Sequence, residues 1–285
     1  MTATFTLAAV AYDPKVVTIW DGFRRWLRGQ GIEFDYVLYS NYERQVIALL
    51  DGRVDVAWNS PLAWVRSRRL AETRQVPVRP VAMRDTDCGL TSVVVVRADS
   101  TVDSLRQLRG RVVATGAVDS PQATLLPLSL LRGAGLQPYV DVQVRRFDVG
   151  VGLHGDHIGG ERDAARALAA GDVDAACISD SSLLLLAQEG TLPSGSVRVI
   201  GQTAPYDHCN MTAGPSADSD LVDVFSDLLF GMSYADPQLR PLLDLEGLKE
   251  WRRGRTEGYG ALERAVDEVS FYDTRGEICA DEYRP

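Results

Sequence analysis

Gly52-Arg53-Val54-Asp55-Val56-Ala57-Trp58-Asn59-Ser60-Pro61 contains a helix stop, a strand and a helix start within ten residues. Asp51-Gly52-Arg53 ends an apolar helical pattern carried by Val46, Leu49 and Leu50. Val54 to Trp58 is a short buried strand. Ser60 then stands as an N-cap with Pro61 at the first helical position, where the missing N–H costs nothing. The pattern returns at Gly171-Asp172-Val173-Asp174-Ala175-Ala176-Cys177-Ile178, and Ser179-Asp180-Ser181-Ser182 follows as another helix start. A recurring helix–strand–helix passage predicts two related βαβ halves. A strand running straight into a helix N-terminus creates a polar pocket at its carboxyl end.

Working outward, Met1 to Val10 reads as a first strand, with Phe5, Leu7 and Ala9 alternating with polar neighbours. Trp20, Phe23, Trp26 and Leu27 recur at helical spacing until Gly29-Gln30-Gly31, which makes Trp20 and Trp26 core residues. Ile32 to Tyr39 is a strand, and Ser40-Asn41-Tyr42-Glu43 has the form of a capping box, with Ser40 as the cap. Val76 to Met83 supplies another strand, and the β-branched run Leu90 to Arg97 carries the chain into the second half. There, Val112 to Thr115 is a strand, Ser120-Pro121 a second Ser-Pro helix start, and Val140 to Phe147 a strand. After Val197 to Ile200 the chain crosses back, and the remainder reads as helical over Leu221–Met232, Pro237–Leu243 and Tyr259–Val269. The expected fold is α/β with mainly parallel sheets. Its lobes are residues 1–90 with 201–285, and residues 91–200.

Composition narrows the function classes. Hydrophobic residues make up 45% of the 285 positions and charged residues 24%, enough for a sizeable core. The net charge is −9, and arginines lie scattered among acids, which argues against nucleic acid or an anionic membrane as partner. The short cluster Arg66, Arg68 and Arg69 reads as a solvated helix face. No apolar run approaches the length of a membrane span. The first ten residues lack a basic n-region, and the four cysteines are widely spaced with no C-x-x-C pair. Both features predict a cytoplasmic protein with reduced thiols.

Tyr42 and the run Ala48 to Trp64, with Ser92–Ser100, Leu105–Val112, Leu131–Leu136 and Gly171–Ala176, carry a further message. Together, over roughly residues 3–200, they resemble the phosphate/phosphonate-type substrate-binding proteins of ABC transporters. The resemblance implies a two-lobed type 2 periplasmic-binding-protein fold that closes on a small ligand across a hinged interlobe cleft. It implies that Tyr42, Ser60 and Ser120 hold an oxyanion. This chain departs from the family in its second serine-rich turn, which is replaced by Ser120-Pro121-Gln122-Ala123-Thr124.

Two constellations stand out. The helix N-termini at Ser40, Ser60, Ser120 and Ser179 offer unpaired N–H groups and a favourable dipole to a carboxylate, phosphonate or sulfonate. With Tyr12, Tyr42, Trp58, Asn59 and Gln122 they form a candidate ligand-binding set, and Trp64 could also line the cleft. The other constellation gathers the three histidines of the chain. His154 and His157 lie in Gly152-Leu153-His154-Gly155-Asp156-His157-Ile158-Gly159-Gly160-Glu161, and His208 in Tyr206-Asp207-His208-Cys209-Asn210. Imidazole, carboxylate and thiol suit a transition metal such as iron, zinc or copper, with His154, His157 and His208 as ligands. Alternatively His208 is a general acid or base oriented by Asp207 or Glu161. Two functions follow. One is a cytoplasmic binding protein for a small anionic or zwitterionic molecule. The other is an enzyme, a metal- or histidine-dependent lyase or oxidoreductase acting on a small carboxylate.

Overall fold

The computed structural model describes residues 4–147 and 158–285. In chain order, β1 (Phe5–Val10), α1 (Lys15–Gly29), β2 (Phe34–Tyr39), α2 (Tyr42–Leu50), β3 (Val56–Asn59), α3 (Pro61–Arg74) and β4 (Arg79–Arg84) come first. A crossing leads to β5 (Ser92–Arg97), β6 (Val112–Thr115), α4 (Leu126–Gly133), β7 (Gln143–Arg146), α5 (Ile158–Ala170), β8 (Ala175–Ser179), α6 (Asp180–Gln188) and β9 (Val197–Gln202). The chain returns through β10 (Asn210–Ala213), α7 (Ser219–Gly231), α8 (Arg240–Glu246), β11 (Trp251–Arg253) and α9 (Gly260–Glu268).

These strands build two sheets, in the orders β11-β4-β10-β3-β1-β2 and β7-β6-β8-β5-β9. The expected two-lobed α/β fold is therefore formed, but the sheets are mixed rather than mainly parallel. β1 pairs parallel with β2 and β3, and β6 with β7 and β8. The strands next to the crossings run the other way: β5 is antiparallel to β8 and β9, and β10 to β3 and β4. Strands β10 and β11 lie in the stretch after Ile200 that reads as mostly helical, outside the helices expected there. Each is only three or four residues long, too short to show an alternating pattern, and each is fixed by pairing with a distant neighbour.

Burial explains the rest. Phe5, Leu7 and Ala9 of β1 and Trp20, Phe23 and Leu27 of α1 share one core with Phe225 and Leu229 of α7. The Phe34 and Phe225 rings stack at 6.0 Å, and Trp26 is only partly buried. In the second sheet, Ala164, Ala165 and Leu168 of α5 pack on Val93, Val95 and Ile178. Cys177 is fully buried, a small apolar residue as its sequence context implies. Helix α2 is capped by Asn41, whose side chain accepts from Arg44 N, instead of by Ser40. Asn41 has extended backbone and its carboxamide reaches the third amide, so the helix starts one residue later than the capping-box reading places it.

The two crossings lie side by side as an antiparallel ribbon. Leu90 N donates to Tyr206 O, Tyr206 N to Leu90 O and His208 N to Asp87 O, each at 2.8 Å. Asp207 fastens this ribbon: its carboxylate accepts from Gly89 N at 2.9 Å and from both Nε and Nη2 of Arg255 at 2.6 Å. A Cβ on Gly258 would lie 2.1 Å from Asp207 Cγ, so only glycine lets the chain pass so closely there.

Candidate functional site

Topology decides which residues meet. β1, β3 and β4 point the same way, while β10 and β11 oppose them, so the carboxyl ends of the former lie beside the amino ends of the latter. One rim therefore gathers Tyr12 beyond β1, Tyr42 at the start of α2, Trp58 and Asn59 ending β3, and Arg84 ending β4. His208 and Cys209 before β10 and Glu246 before β11 join them.

Arg84 is the centre of this rim. Its Nε and Nη2 donate to the two carboxylate oxygens of Asp87 at 2.6 and 2.9 Å. Nη1 donates to Glu246 O at 2.9 Å and stands 3.5 Å from Glu246 Oε1. The guanidinium lies 5.2 Å over the Trp58 ring, a cation–π contact that further fixes its plane. Asp87 also faces His208, with Oδ1 3.3 Å from Nδ1, and accepts from Cys209 N at 3.2 Å. The Cys209 sulfur is 3.2 Å from the same Nδ1.

The charges follow from these neighbours. Burial alone would raise Asp87, but Arg84 and His208 outweigh it and hold its carboxyl down to about 2. Burial would lower His208, yet Cys209 and Asp87 beside it push it up to about 10, which makes it an imidazolium at neutral pH. Burial pushes Glu246 up to about 7, with Arg84 and Lys15 opposing and Asp87 assisting. Arg84 and His208 thus place two cationic groups on this rim, beside the carboxyls of Asp87 and Glu246 and the Cys209 sulfur. Burial also raises the pKa of Tyr12 and Tyr42, which stay neutral hydroxyls.

The second sheet presents its own rim. Ser120 is fully buried and caps the turn at Pro121–Leu125, accepting from Ala123 N at 3.1 Å. Ser179 caps α6, accepting from Ser182 N. Glu161, in the first turn of α5, accepts from Ser179 N at 2.9 Å. Burial raises its pKa against the hydrogen bonds from Ser179, Ser182 and Gln122.

The structure sorts the residues singled out from the sequence. Tyr12, Tyr42, Trp58 and His208 are brought together around Arg84. Ser60 caps α3, accepting from Ala63 N. Gln122 and Glu161 meet on the second rim. Asn59 lies beneath the first rim in a closed network: it donates to Thr212 Oγ1 at 2.9 Å and Ser67 Oγ at 3.3 Å, and accepts from Gln45 Nε2 at 2.9 Å. Those partners occupy both ends of its carboxamide, so its role is structural. The acid/base trio of His208, Asp207 and Glu161 is not assembled. Asp207 is turned to Arg255 and Gly89, and Glu161 is held by Ser179. His154 and His157 lie outside the described residues. His208 joins a group that could offer a metal three atoms, with Asp87 and Cys209. Asp87 is held there by Arg84 as well as facing His208. Trp64 is buried against Tyr259 at 5.8 Å. Arg66 and Arg69 are buried too, bonded to the C-terminal segment, in place of the solvated face expected.

Arg84, Asp87 and Glu246 were not singled out from the sequence. Arg84 had a signal: it follows the strand read to Met83 and so sits at a carboxyl strand end. Glu246 had none, because its place depends on β11 pairing with β4.

Residues 5–259 match the family described as the periplasmic phosphonate substrate-binding protein of ABC transporters. PhnD1 from Prochlorococcus marinus (MIT 9301), solved with methylphosphonate, has a TM-score of 0.68 at 17% identity, covering 94% of this chain and 99% of that one. XAC2383 from Xanthomonas citri, solved with ATP, gives 0.69 at 19%, with coverages of 95% and 100%. The periplasmic aliphatic sulphonate-binding protein SsuA from Escherichia coli gives 0.59 at 17%, with 96% and 94%. At such identities these likenesses concern the fold. The family description overturns the expected cytoplasmic location, because its members are periplasmic. That expectation leaned on cysteine usage, and the four cysteines are all free; thiols without a partner are compatible with either compartment.

Proposed function

The chain belongs to the phosphonate-type periplasmic substrate-binding proteins of ABC transporters, and from that premise we propose that it captures a small anionic or zwitterionic molecule, a phosphonate or sulfonate, between its two rims. Residues 1–90 with 201–285 would form one lobe and 91–200 the other, closing about the ribbon of the two crossings. The observation that carries this reading is the convergence of Arg84 and His208, two cationic groups, on one rim with Tyr12, Tyr42 and Trp58. Helix N-termini at Tyr42 and Pro61 on that side, and at Pro121 and Asp180 on the other, add oriented N–H groups. Tyr12 and Tyr42 supply neutral hydroxyl donors, and Trp58 a flat apolar wall.

Titration with methylphosphonate and ethanesulfonate tests it. Either should raise the melting temperature, by about 2.7 kcal/mol of added stability at a hundredfold excess over the dissociation constant. Indifference to both at millimolar concentration would remove the proposal.

Glu246 gives the binding a pH dependence. Below about 7 its carboxyl is neutral and the rim keeps its positive charge; above it, a carboxylate opposes the anion. Ethanesulfonate, whose own charge is constant over this range, should bind several-fold more weakly at pH 8 than at pH 6, since each unit of pKa shift on binding corresponds to about 1.4 kcal/mol. Calorimetry on Glu246→Gln should show that slope abolished; an unchanged slope would assign it to another group.

A further inference from the structure

We propose that residues 257–285 are a strap that fastens the two halves together and sets how far the cleft opens. The strap is bound to the first half by ion pairs and by arginine-to-carbonyl hydrogen bonds. Arg68 and Arg69 of α3 pair with Glu263 and Asp267 of α9, both at 2.7 Å. Arg69 Nη1 donates to Tyr272 O and Asp273 O at 3.1 and 3.0 Å, and Arg66 Nε to Gly276 O at 3.0 Å. Gly276 has φ +85°, and a Cβ there would lie 2.8 Å from Leu70 Cγ, so the loop is shaped to lie flat on α3. Tyr272 and Tyr283 both donate to Glu43 Oε1, at 3.3 and 2.8 Å. Glu43 sits in the first turn of α2, beside Tyr42 of the candidate site.

The grip on the second half is of another kind. Leu262, Ala265, Val266 and Phe271 share one apolar cluster with Leu62 and Val65 of α3 and with Leu125 and Leu126 leading into α4. Two partly exposed ion pairs reach the second half, Arg132 to Glu268 at 3.4 Å and Arg146 to Glu282. Between Leu125 and Leu128 on one side and Val269, Phe271 and Ala280 on the other lies a solvent-open groove of about 350 Å³. Asp119, from the loop after β6, is among the charges felt by Tyr272, after burial and Glu43, so this tyrosine stands where the halves approach each other.

Opening must separate α4 from α9 or tear α9 from α3, so the strap resists it either way.

Spin labels at Val17→Cys on α1 and Leu184→Cys on α6, both exposed, in a Cys88→Ser/Cys279→Ser background, report the separation of the halves in the ligand-free full chain. Glu268→Ala/Glu282→Ala removes the two ion pairs to the second half and leaves every contact to the first. It should raise the open-to-closed ratio roughly fivefold, as two exposed pairs of ordinary strength allow, and appear as a second, longer distance. Leu128→Phe, which adds apolar surface at the groove between the strap and the second half, should act oppositely and narrow the distribution. If both variants keep the native circular dichroism spectrum and both leave the distance distribution unchanged, the strap does not govern opening. This outcome is independent of which anion binds.

Discussion

Arg84→Met is expected to lower stability at pH 7 by about 3–5 kcal/mol, the usual result of removing one partner from a buried charge network. For a chain of this size that corresponds to a fall in melting temperature of roughly 6–15 °C. The reason lies in what remains. Asp87, buried to 1% exposure, loses a bidentate partner and keeps only His208 and the Cys209 amide. The effect has a pH signature. With Arg84 present, the Asp87 pKa is held at about 2, below its unfolded value. Its contribution is therefore complete above the unfolded pKa and is lost as pH falls through about 2. In the variant the Asp87 pKa rises, so the gap between the two proteins should shrink as pH drops from about 4 to about 2. Chemical denaturation across that range checks the sign. Arg84→Met/Asp87→Leu should recover part of the loss, because it leaves no unpaired charge. Ethanesulfonate binding should be lost in both variants. A double variant that is less stable than the single one would show that packing, not charge, sets the cost.

Asn59→Ala should destabilise by about 3 kcal/mol. Its carboxamide joins Gln45, Ser67 and Thr212, and Thr212 continues through Asn210 at 2.6 Å to Tyr259, whose hydroxyl donates to His208 O at 2.8 Å. Truncation would strand several buried polar groups, each costing about 1–3 kcal/mol if water cannot reach it. Since the network supports the main chain at His208, a secondary loss of anion affinity is expected. The discriminating measurement is urea denaturation without any anion. A large drop there assigns Asn59 to structure, whereas normal stability with lost binding would return it to the ligand-contacting set.

The halves of the molecule differ in how far their sequence discloses them. Gly52 to Pro61 and Gly171 to Ser182 each join a helix stop, a buried strand and a capped helix start. These are rules of backbone sterics and hydrogen bonding that act over a few residues, so Ser60, Ser120 and Ser179 could be recognised as caps directly. Alternation in Phe5, Leu7 and Ala9 and helical spacing in Trp20, Phe23 and Leu27 likewise reflect local geometry. The apolar runs Val93 to Val96 and Ala175 to Ile178 needed no partner to be read as buried strands.

Contacts between distant segments were not legible in the same way. Arg66 and Arg69 read as solvated because a helical arginine usually is; they are buried because the C-terminal segment folds back over α3 and offers them carbonyls and carboxylates. Asp207 and His208 are neighbours in the chain and therefore looked like partners in chemistry, yet Arg255 and Asp87 claim them separately. His154 and His157, read as metal ligands from their spacing and donor chemistry, lie outside the described residues.

The sequence by itself therefore determined the α/β alternation, the paired halves, the caps that start helices at strand ends and the family likeness, because each follows from interactions within a turn or two of chain. Only the tertiary structure decided that β10 and β11 enter the first sheet reversed, and this is what brings Arg84, Asp87, His208 and Glu246 to one rim. Their charge states depend on burial and on neighbours more than a hundred residues away. A linear pattern cannot encode either quantity until the sheet has closed around them.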